Sequence, residues 1–283
     1  MIEVRSGHAP VCGASLYYET VMPGRAGGEA DRFRDVVLLH AGIADCRMWD
    51  GLFEALGARV HAIRFDIRGF GRSPMPSGRF SYHDDVLGLL DHLGVDRADL
   101  IGCSFGGQIA LDCALAHPRR VRSLLLVGAG VGGRDPSETM ERFGEEEERL
   151  LGEGDFDAAT ELNLRLWVDG PRRAPEEVDP IVRERVRALQ RAQFELPVPD
   201  GVVRTKLEPP AIARLAEIRV PTLALAGELD QPDVLETAVL LEKGIPGCRR
   251  VVLPRTAHLP SMEVPTRFEE IAIRFLEEPS PEE

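Results

Sequence analysis

The chain has 283 residues, of which 43% are hydrophobic and 29% charged, enough apolar material for the core of one large domain or two small ones. Acidic residues outnumber basic ones by 47 to 34, and the net charge of −13 argues against nucleic acid or an anionic membrane as the main partner. The five cysteines form no CxxC pair, and no apolar run approaches the roughly 20 residues that span a bilayer. We therefore expect a cytoplasmic protein with no signal peptide and no transmembrane helix.

Short apolar segments alternate with helical patterns along most of the chain. Two antiparallel strand segments are predicted at the start of the chain, at residues 2–4 and 15–19. Buried parallel strands are predicted at residues 36–39, 60–65, 99–102, 124–127, 223–226 and 251–253. Helices are predicted at residues 48–56, 82–93, 105–116, 234–243 and 265–276. The alternation predicts an α/β fold with a doubly wound, mostly parallel sheet, whose core domain comprises residues 1–132 and 216–283.

Residues 133–215 interrupt this alternation with helical signals and no convincing strand. The run Asp135-Pro136-Ser137-Glu138 predicts a helix start with Asp135 as the N-cap, and Asp155 and Asp179 are predicted to cap two further helices. An all-helical insertion of this length, placed before the last strands of a sheet, is interpreted as a helical cap, or lid, over the strand ends. The alternative is an ordinary surface excursion.

A candidate nucleophile lies between a predicted strand and a predicted helix. Residues 102–106 read Gly-Cys-Ser-Phe-Gly and match the G-x-S-x-G pattern. A serine on such a sharp turn is held in a strained conformation with its hydroxyl exposed, and the following helix offers free N–H groups at its N-terminus. Ser104 is therefore the candidate nucleophile, and a glycine-rich strand-to-helix turn of a nucleotide-binding fold is the alternative.

A nucleophilic serine needs a base and an acid that orients the base. Asp230 and His258 each follow the end of a later predicted strand, and their separation of 28 positions leaves room for one helix and one strand. This predicts that both side chains reach the sheet edge where Ser104 lies. Glu228 and Asp233 lie in the same turn as Asp230 and remain alternatives for the acid.

Three further motifs carry a family resemblance. His40-Ala41-Gly42-Ile43 follows a strand, residues 66–73 read D-x-R-G-x-G-x-S, and residues 258–265 read His-Leu-Pro-Ser-Met-Glu-Val-Pro. Together with the serine motif, and in this order, they make the chain resemble the α/β-hydrolase-fold serine hydrolases over nearly its whole length, in particular bacterial esterases and enol-lactonases. We interpret His40 as a residue that positions its loop and does not transfer protons.

The resemblance implies a role for each site residue. Ser104 is expected to be the nucleophile, His258 the base and then the acid, and Asp230 the carboxylate that orients the imidazole. The backbone N–H groups of Ile43 and Phe105 are expected to form the oxyanion hole. Such a site requires no metal and no organic cofactor. Its partner would be a small-molecule ester or lactone, and the oligomeric state does not follow from the sequence.

The same residues also discriminate between related hydrolase reactions and other classes of protein. Haloalkane dehalogenases carry Asp at the position of Ser104 and are excluded. Carbon–carbon bond hydrolases usually have Asn before the serine and Trp after the histidine, where this chain has Cys103 and Leu259. These two positions disfavour a carbon–carbon bond hydrolase, which stays an alternative together with a cofactor-free haloperoxidase or perhydrolase. Two alternatives belong to other classes of protein. Residues 128–133 also match G-x-G-x-x-G, but no helix is predicted to begin there, which disfavours an NAD(P)-dependent oxidoreductase. The intact set of site residues disfavours a non-catalytic ligand receptor on the same scaffold.

The predicted cap helices carry apolar stripes that indicate a substrate pocket. Trp167, Leu166 and Phe143 are expected to line it, because a lid facing Ser104 must be largely apolar to exclude water. We expect small to medium esters or lactones with an apolar acyl part, uncharged or singly charged. Three arginines of the same segment are candidates for binding a substrate carboxylate: Arg165, Arg172 and Arg173.

Overall fold

The alternating apolar segments fold into one eight-stranded sheet. The structure is a computed structural model that describes residues 3–23 and 33–278. In this part of the chain the strands are β1 (Val4–Val11), β2 (Ala14–Val21), β3 (Asp35–Leu39), β4 (His61–Phe65), β5 (Gly78–Phe80), β6 (Ala98–Cys103), β7 (Val121–Val127), β8 (Val202–Arg204), β9 (Thr222–Gly227) and β10 (Arg249–Leu253). The helices are α1 (Asp50–Gly57), α2 (Tyr82–Leu93), α3 (Phe105–Ala116), α4 (Glu138–Glu153), α5 (Phe156–Asn163), α6 (Pro180–Phe194), α7 (Pro232–Gly244), α8 (Pro260–Glu263) and α9 (Pro265–Glu277). None of these helices is long and apolar enough to cross a bilayer.

The strand order is β1-β2-β4-β3-β6-β7-β9-β10. The hairpin β1–β2 and the pair β2–β4 are antiparallel, and the remaining pairs are parallel. The predicted doubly wound, mostly parallel α/β sheet is therefore confirmed. The strand order reverses at β3, which has β4 on one side and β6 on the other, and in sheets of this kind ligands bind beyond the carboxyl ends of the strands at such a point.

Strand β3 illustrates why these apolar runs become central strands. Val37 and Leu39 pack into the cluster that includes α2 and α3, while Val36 and Leu38 pack into the cluster that includes α1 and α9. All four side chains are fully buried. Because successive side chains point to opposite faces, a strand covered on both faces must be apolar at every position, and such a run is readable from the sequence.

Two expectations about the chain from residue 133 to residue 215 are wrong. First, this segment contains a strand, β8, which pairs in parallel with β5 in a separate two-stranded sheet. Strand β8 has three residues and is partly exposed, so it has no apolar run that a sequence pattern could detect. Second, Ser137 and not Asp135 is the N-cap of α4, because Asp233 accepts hydrogen bonds from the Ser137 amide and hydroxyl and fixes the chain there.

The other boundaries agree with the sequence patterns more closely. Asp155 caps α5 by accepting from the amide of Ala158, and Asp179 caps α6 by accepting from the amide of Ile181. After α5 the chain continues as a π-helical turn over Leu164–Asp169. The two antiparallel strands predicted at the start of the chain are present. Strand β1 is longer than predicted and extends to Val11, and residue 2, where it was predicted to begin, lies outside the described residues.

Candidate active site

Ser104 occupies the sharp turn between β6 and α3. Its φ of 53° and ψ of −112° lie in a region that non-glycine residues rarely adopt. Hydrogen bonds hold this conformation on both sides: the Ser104 amide donates to the carbonyl of Val127 (2.8 Å), and its carbonyl accepts from the amides of Gln108 (3.0 Å) and Gly130 (3.2 Å). The strained backbone is thus fixed by β7, by the first turn of α3 and by the loop after β7.

The glycines that flank Ser104 are required by close backbone packing. A Cβ atom at Gly102 would lie 2.4 Å from the carbonyl oxygen of Gly106, and one at Gly106 would lie 2.3 Å from that of Leu39. Only glycine leaves enough room for β6, α3 and the end of β3 to approach this closely. The G-x-S-x-G pattern therefore has a steric cause at both glycine positions.

His258 and Asp230 form a buried pair behind this turn. Strands β9 and β10 are parallel neighbours that end in register at Gly227 and Leu253, so the two loops that follow them meet at one edge. His258 Nδ1 lies 2.7 Å from Asp230 Oδ2, and the two side chains are 2% and 1% exposed. Asp230 Oδ1 also accepts from the amide of Gln231 at 2.8 Å, which orients the carboxylate.

The second imidazole nitrogen of His258 remains available. His258 Nε2 is buried and has no hydrogen-bond partner within residues 3–23 and 33–278. With Nδ1 donating to the carboxylate, Nε2 carries the lone pair of a neutral imidazole and can accept a proton. Trp167 supports the ring from the helical segment: the ring centroids lie 4.4 Å apart, and the Trp167 carbonyl accepts from the His258 amide at 3.2 Å.

Geometry separates the three acidic residues of the turn after β9. Asp230 contacts His258, whereas Glu228 accepts from the amide of Arg255 (3.0 Å) and Asp233 binds Ser137. Neither Glu228 nor Asp233 is therefore free to orient the imidazole.

The loop after β3 brings a second backbone amide toward Ser104. Ile43 and Phe105 line the same cavity as Ser104. Their amide N–H groups donate to no acceptor in the described part of the chain. Two unpaired amides beside a serine are suited to binding a developing oxyanion, because each offers a fixed donor.

His40 positions this loop. Its Nε2 accepts from the amide of Ile67 (2.9 Å), its Nδ1 donates to the carbonyl of Ala41 (2.8 Å), and its own carbonyl accepts from the amide of Gly106 (3.1 Å). The side chain is completely buried, and burial lowers its pKa. The imidazole is therefore neutral and joins the loop to α3 and to residues 66–73.

The D-x-R-G-x-G-x-S segment supports the loop from behind. Asp66 accepts from the amide of Cys46 (3.0 Å) and from the amide and guanidinium of Arg72 (both 2.9 Å). Gly71 has a φ of +52°, and a Cβ there would lie 2.5 Å from Asp66 Oδ2. This motif is thus a turn wrapped around a buried carboxylate, and it contributes no side chain to the cavity beyond Phe70.

Two cavities meet at Ser104, Trp167 and His258. The larger has a volume of about 630 Å³ and the smaller about 210 Å³. Phe143 from α4 and Trp167 line the larger cavity, as expected from the sequence. The smaller cavity lies against the loop after β7 and the start of α7, where it is lined by Gly128 and Val234.

Two other expectations about the pocket lining do not match the cavities, those for Leu166 and for the three arginines. Leu166 lines neither cavity, and its backbone carbonyl accepts from Gln231 Nε2 at 2.7 Å. None of the three arginines faces either cavity, because each is committed elsewhere: Arg165 to Asp169, Arg172 to the carbonyl of Glu228, and Arg173 to Glu263.

Polar side chains that the sequence analysis missed line the larger cavity. Asn163 donates from Nδ2 to Glu147 Oε1 (2.5 Å) and to the carbonyl of Ala159 (3.0 Å). Gln193 donates to the carbonyl of Gly69 at 2.7 Å, and Gln190 is buried with its Oε1 unpaired. Burial raises the pKa of Glu147, while the hydrogen bond from Asn163 opposes this effect. The sequence offered one indication of these cavity-lining residues, which is that amide side chains interrupt the apolar faces of the predicted cap helices.

The second glycine-rich motif is part of the wall around His258. Gly128 has a φ of +52°, and a Cβ there would lie 3.1 Å from the imidazole. No helix opens on Gly133, because α4 begins at Glu138. The segment therefore lacks the helix N-terminus that a dinucleotide pyrophosphate needs.

Two clusters within the described residues bring three metal-ligating side chains together. His83, Asp84 and His117 place their donor atoms within 4.8 Å of one another, at the far end of α3 from Ser104. The other cluster is formed by Asp45, Cys46 and Asp66, which are buried. Its carboxylates already accept from Arg47 and Arg72. Neither cluster contains a residue that lines the larger cavity.

Comparisons with known proteins find a family and several similar chains. Residues 36–271 match the model of the alpha/beta hydrolase family. A relative from Azorhizobium caulinodans, named as a carbamate hydrolase, is 33% identical over 90% of this chain and 98% of its own. A pimeloyl-(acyl-carrier protein) methyl ester esterase from Aeromonas hydrophila is 28% identical over 86% of this chain and 95% of its own. An enol-lactonase from Burkholderia xenovorans is similar in fold, with a TM-score of 0.75 and 23% identity over 96% of this chain and all of that one.

Proposed function

The chain belongs to the alpha/beta hydrolase family, and we propose that it cleaves a carboxylic ester or lactone through an acyl-enzyme formed on Ser104. The observation that carries the proposal is the buried pair of Asp230 and His258, joined at 2.7 Å, which leaves His258 Nε2 unpaired next to the cavity that contains Ser104. Similarity to an esterase supports an ester-acting hydrolase.

Each group has one task in the proposed reaction. His258 Nε2 takes the proton of the Ser104 hydroxyl while the oxygen attacks the substrate carbonyl. Asp230 fixes the imidazole tautomer and stabilises the imidazolium that forms. His258 then protonates the departing alkoxide. In the second half His258 takes a proton from the water that attacks the acyl-enzyme, and it returns this proton to the Ser104 oxygen as the bond to the acyl carbon breaks. No step needs a metal or an organic cofactor.

The amides of Ile43 and Phe105 serve as the proposed oxyanion hole. The carbonyl oxygen becomes negatively charged when Ser104 attacks, and two preorganised N–H donors stabilise this charge without reorganising. Loss of one such donor typically costs about 2.7–4 kcal/mol of transition-state stabilisation. The His40 hydrogen bonds to Ile67 and Gly106 keep the loop that carries Ile43 in place.

We propose that residues 133–215 act as the cap over this site. Phe143 on α4, Trp167 on the π-helical turn and Gln190 on α6 line the same cavity as Ser104. The cavity volume of about 630 Å³ falls within the range of roughly 300–1,000 Å³ typical of small-molecule sites. The proposed partner is accordingly a small to medium ester or lactone.

The test combines covalent labelling with a substrate panel. A fluorophosphonate probe should label the wild-type protein, and mass spectrometry should locate the adduct on the peptide that contains Ser104. The Ser104→Ala variant should lose labelling and hydrolysis, while Ser77→Ala, which alters an exposed serine, should keep both. Full labelling of Ser104→Ala would contradict the assignment.

The panel discriminates between the remaining reactions of this family. It contains aryl esters, lactones and vinylogous diketones, and hydrogen peroxide is added in a parallel series to detect perhydrolysis. We expect turnover of esters or lactones. Turnover of the vinylogous diketones alone would point to carbon–carbon bond hydrolysis, and ligand binding without any labelling would point to a receptor.

A further inference from the structure

The larger cavity contains a polar cluster on the side formed by the helical cap. Glu147 from α4, Asn163 from the end of α5 and Gln190 from α6 all line it. Asn163 and Gln190 are each only 3% exposed. Three polar side chains from three different helices converge on a space otherwise lined largely by aromatic and aliphatic groups, a pattern typical of sites that fix the orientation of a ligand.

Gln190 is the member of this cluster with an unmet hydrogen bond. Its Oε1 is buried and has no partner among the described residues. Buried polar atoms are nearly always paired, because leaving one unpaired is costly. Gln190 lines the cavity, so rotation of its terminal amide turns this oxygen toward a ligand that donates a hydrogen bond to it.

Glu147 supplies a second acceptor in the wall of the same cavity. Asn163 donates to one carboxylate oxygen of Glu147, Oε1, and thereby fixes the direction of the group. Burial raises the pKa of Glu147, as expected for a carboxylate held in a largely apolar cavity without a cation. Because Asn163 occupies only one oxygen of Glu147, the cluster presents hydrogen-bond acceptors to the ligand, one of them a carboxylate that carries negative charge when it is ionised.

No positive side chain balances this charge inside the cavity. No arginine or lysine among the described residues lines it. The four arginines of α6 bind other partners: Arg183 and Arg187 bind Glu161, Arg185 binds Asp50, and Arg191 binds Asp157. A carboxylate on the substrate would therefore meet Glu147 with no compensating charge, which is unfavourable in a buried site.

We propose that Glu147, Asn163 and Gln190 form a subsite that selects substrates bearing a hydrogen-bond donor, a hydroxyl or an ammonium group, at the end remote from the reacting carbonyl. The inference rests on the proposed function, because it assigns the far end of the substrate that Ser104 attacks. It replaces the expectation that arginines of this segment bind a substrate carboxylate. Selection works by attraction of donors and by repulsion of anions.

The first experiment compares matched aryl esters that differ only at the end of the acyl chain. Butanoyl, hexanoyl and octanoyl esters would each end in methyl, hydroxyl, ammonium or carboxylate, and kcat/KM would be measured for each. We expect the best donor-terminated ester to exceed its methyl analogue by about tenfold or more, and the carboxylate analogue to be the poorest. Equal rates for methyl and donor ends at every length, or a preference for carboxylate, would overturn the proposal.

Substitutions assign the preference to individual side chains. Glu147→Gln should abolish the preference for ammonium and relieve the discrimination against carboxylate, while the hydroxyl ester keeps most of its advantage. Gln190→Leu should remove the advantage of the hydroxyl ester over its methyl analogue. Glu148→Gln is the matched control, because Glu148 is exposed and lies outside the cavity lining. The control Glu148→Gln should hydrolyse an acetyl ester at the wild-type rate, and for each variant the rates for the longer esters are divided by its own rate for the acetyl ester.

A binding measurement separates failure of this proposal from failure of the proposed function. Hexanol, 1,6-hexanediol, 6-amino-1-hexanol and 6-hydroxyhexanoate would be titrated calorimetrically into the wild type and into Ser104→Ala. Tighter binding of the diol and the amino alcohol, lost in Gln190→Leu, would support the subsite even if no ester were hydrolysed. Hydrolysis of the acetyl ester together with equal affinities for all four compounds would refute the subsite and leave the proposed function intact.

Discussion

Asp112 lies in the middle of α3, where its carboxyl group is buried. Its side chain is 7% exposed, and its Oδ1 has no hydrogen-bond partner among the described residues. Burial raises its pKa from 3.8 to about 6, and the charge of Arg204 opposes this increase only in part. Ionisation of Asp112 is thus easier in the unfolded chain than in the folded one, which makes the stability of the fold depend on pH.

The Asp112→Asn variant isolates this effect. A raised pKa in the folded state means that the contribution of Asp112 to stability is fully present below pH 3.8 and is lost as the pH rises through about 6. A difference of about two pKa units corresponds to about 3 kcal/mol. Relative to Asp112→Asn, the wild type should therefore lose about 3 kcal/mol of unfolding free energy between roughly pH 4 and pH 8.

Chemical denaturation at several pH values measures this difference. Urea unfolding curves of both proteins give the two unfolding free energies, and their difference is plotted against pH. Asp200→Asn serves as the control, because Asp200 is exposed and its substitution should give a flat plot. A difference between wild type and Asp112→Asn that does not change with pH would refute the reasoning about burial.

The other predictions concern the site itself. Asp230→Asn should lower kcat by up to about 10⁴-fold, as in serine proteases, whereas Asp233→Asn should stay near wild type in a steady-state assay; the opposite ranking would identify Asp233 as the acid. Ser104→Gly should unfold at a higher temperature than Ser104→Ala, because glycine tolerates the φ of 53° without the strain of about 1–3 kcal/mol; equal midpoints would contradict this. Trp167→Ala should change the rates for long acyl chains relative to short ones more than it changes the midpoint of thermal unfolding, since Trp167 lines both cavities; an unchanged rate profile would argue against its role.

The fold could be predicted from the sequence wherever burial leaves a continuous signal. The central strands are apolar on both faces, and α2 and α3 begin and end at the predicted residues, Tyr82–Leu93 and Phe105–Ala116. Strand β8 could not be predicted, because its three residues depend on pairing with β5, more than 120 residues earlier in the chain.

The candidate site, too, could be predicted from the sequence only in part. Local motifs and strand ends predicted that Ser104, Asp230 and His258 would lie near one sheet edge, but the choice of Asp230 over Asp233 depends on contacts across the fold. Leu166 and Trp167 show a second reason why the cavity-lining residues could not all be predicted from the sequence. The turn that carries them is π-helical, so its residues do not follow the 3.6-residue period from which the cavity-facing side was inferred.

The unequal sizes of the two cavities that share Ser104 bear on substrate orientation. One offers about 630 Å³ and the other about 210 Å³, and both are bounded by Trp167 and His258. If the protein acts as proposed, a bulky group on one side of the scissile bond would fit only the larger cavity, and such a substrate would bind in a single direction. Under the proposed function, the enzyme would distinguish an ester from its constitutional isomer in which the acyl and alcohol portions are exchanged, even though the two compounds have the same atoms and almost the same polarity.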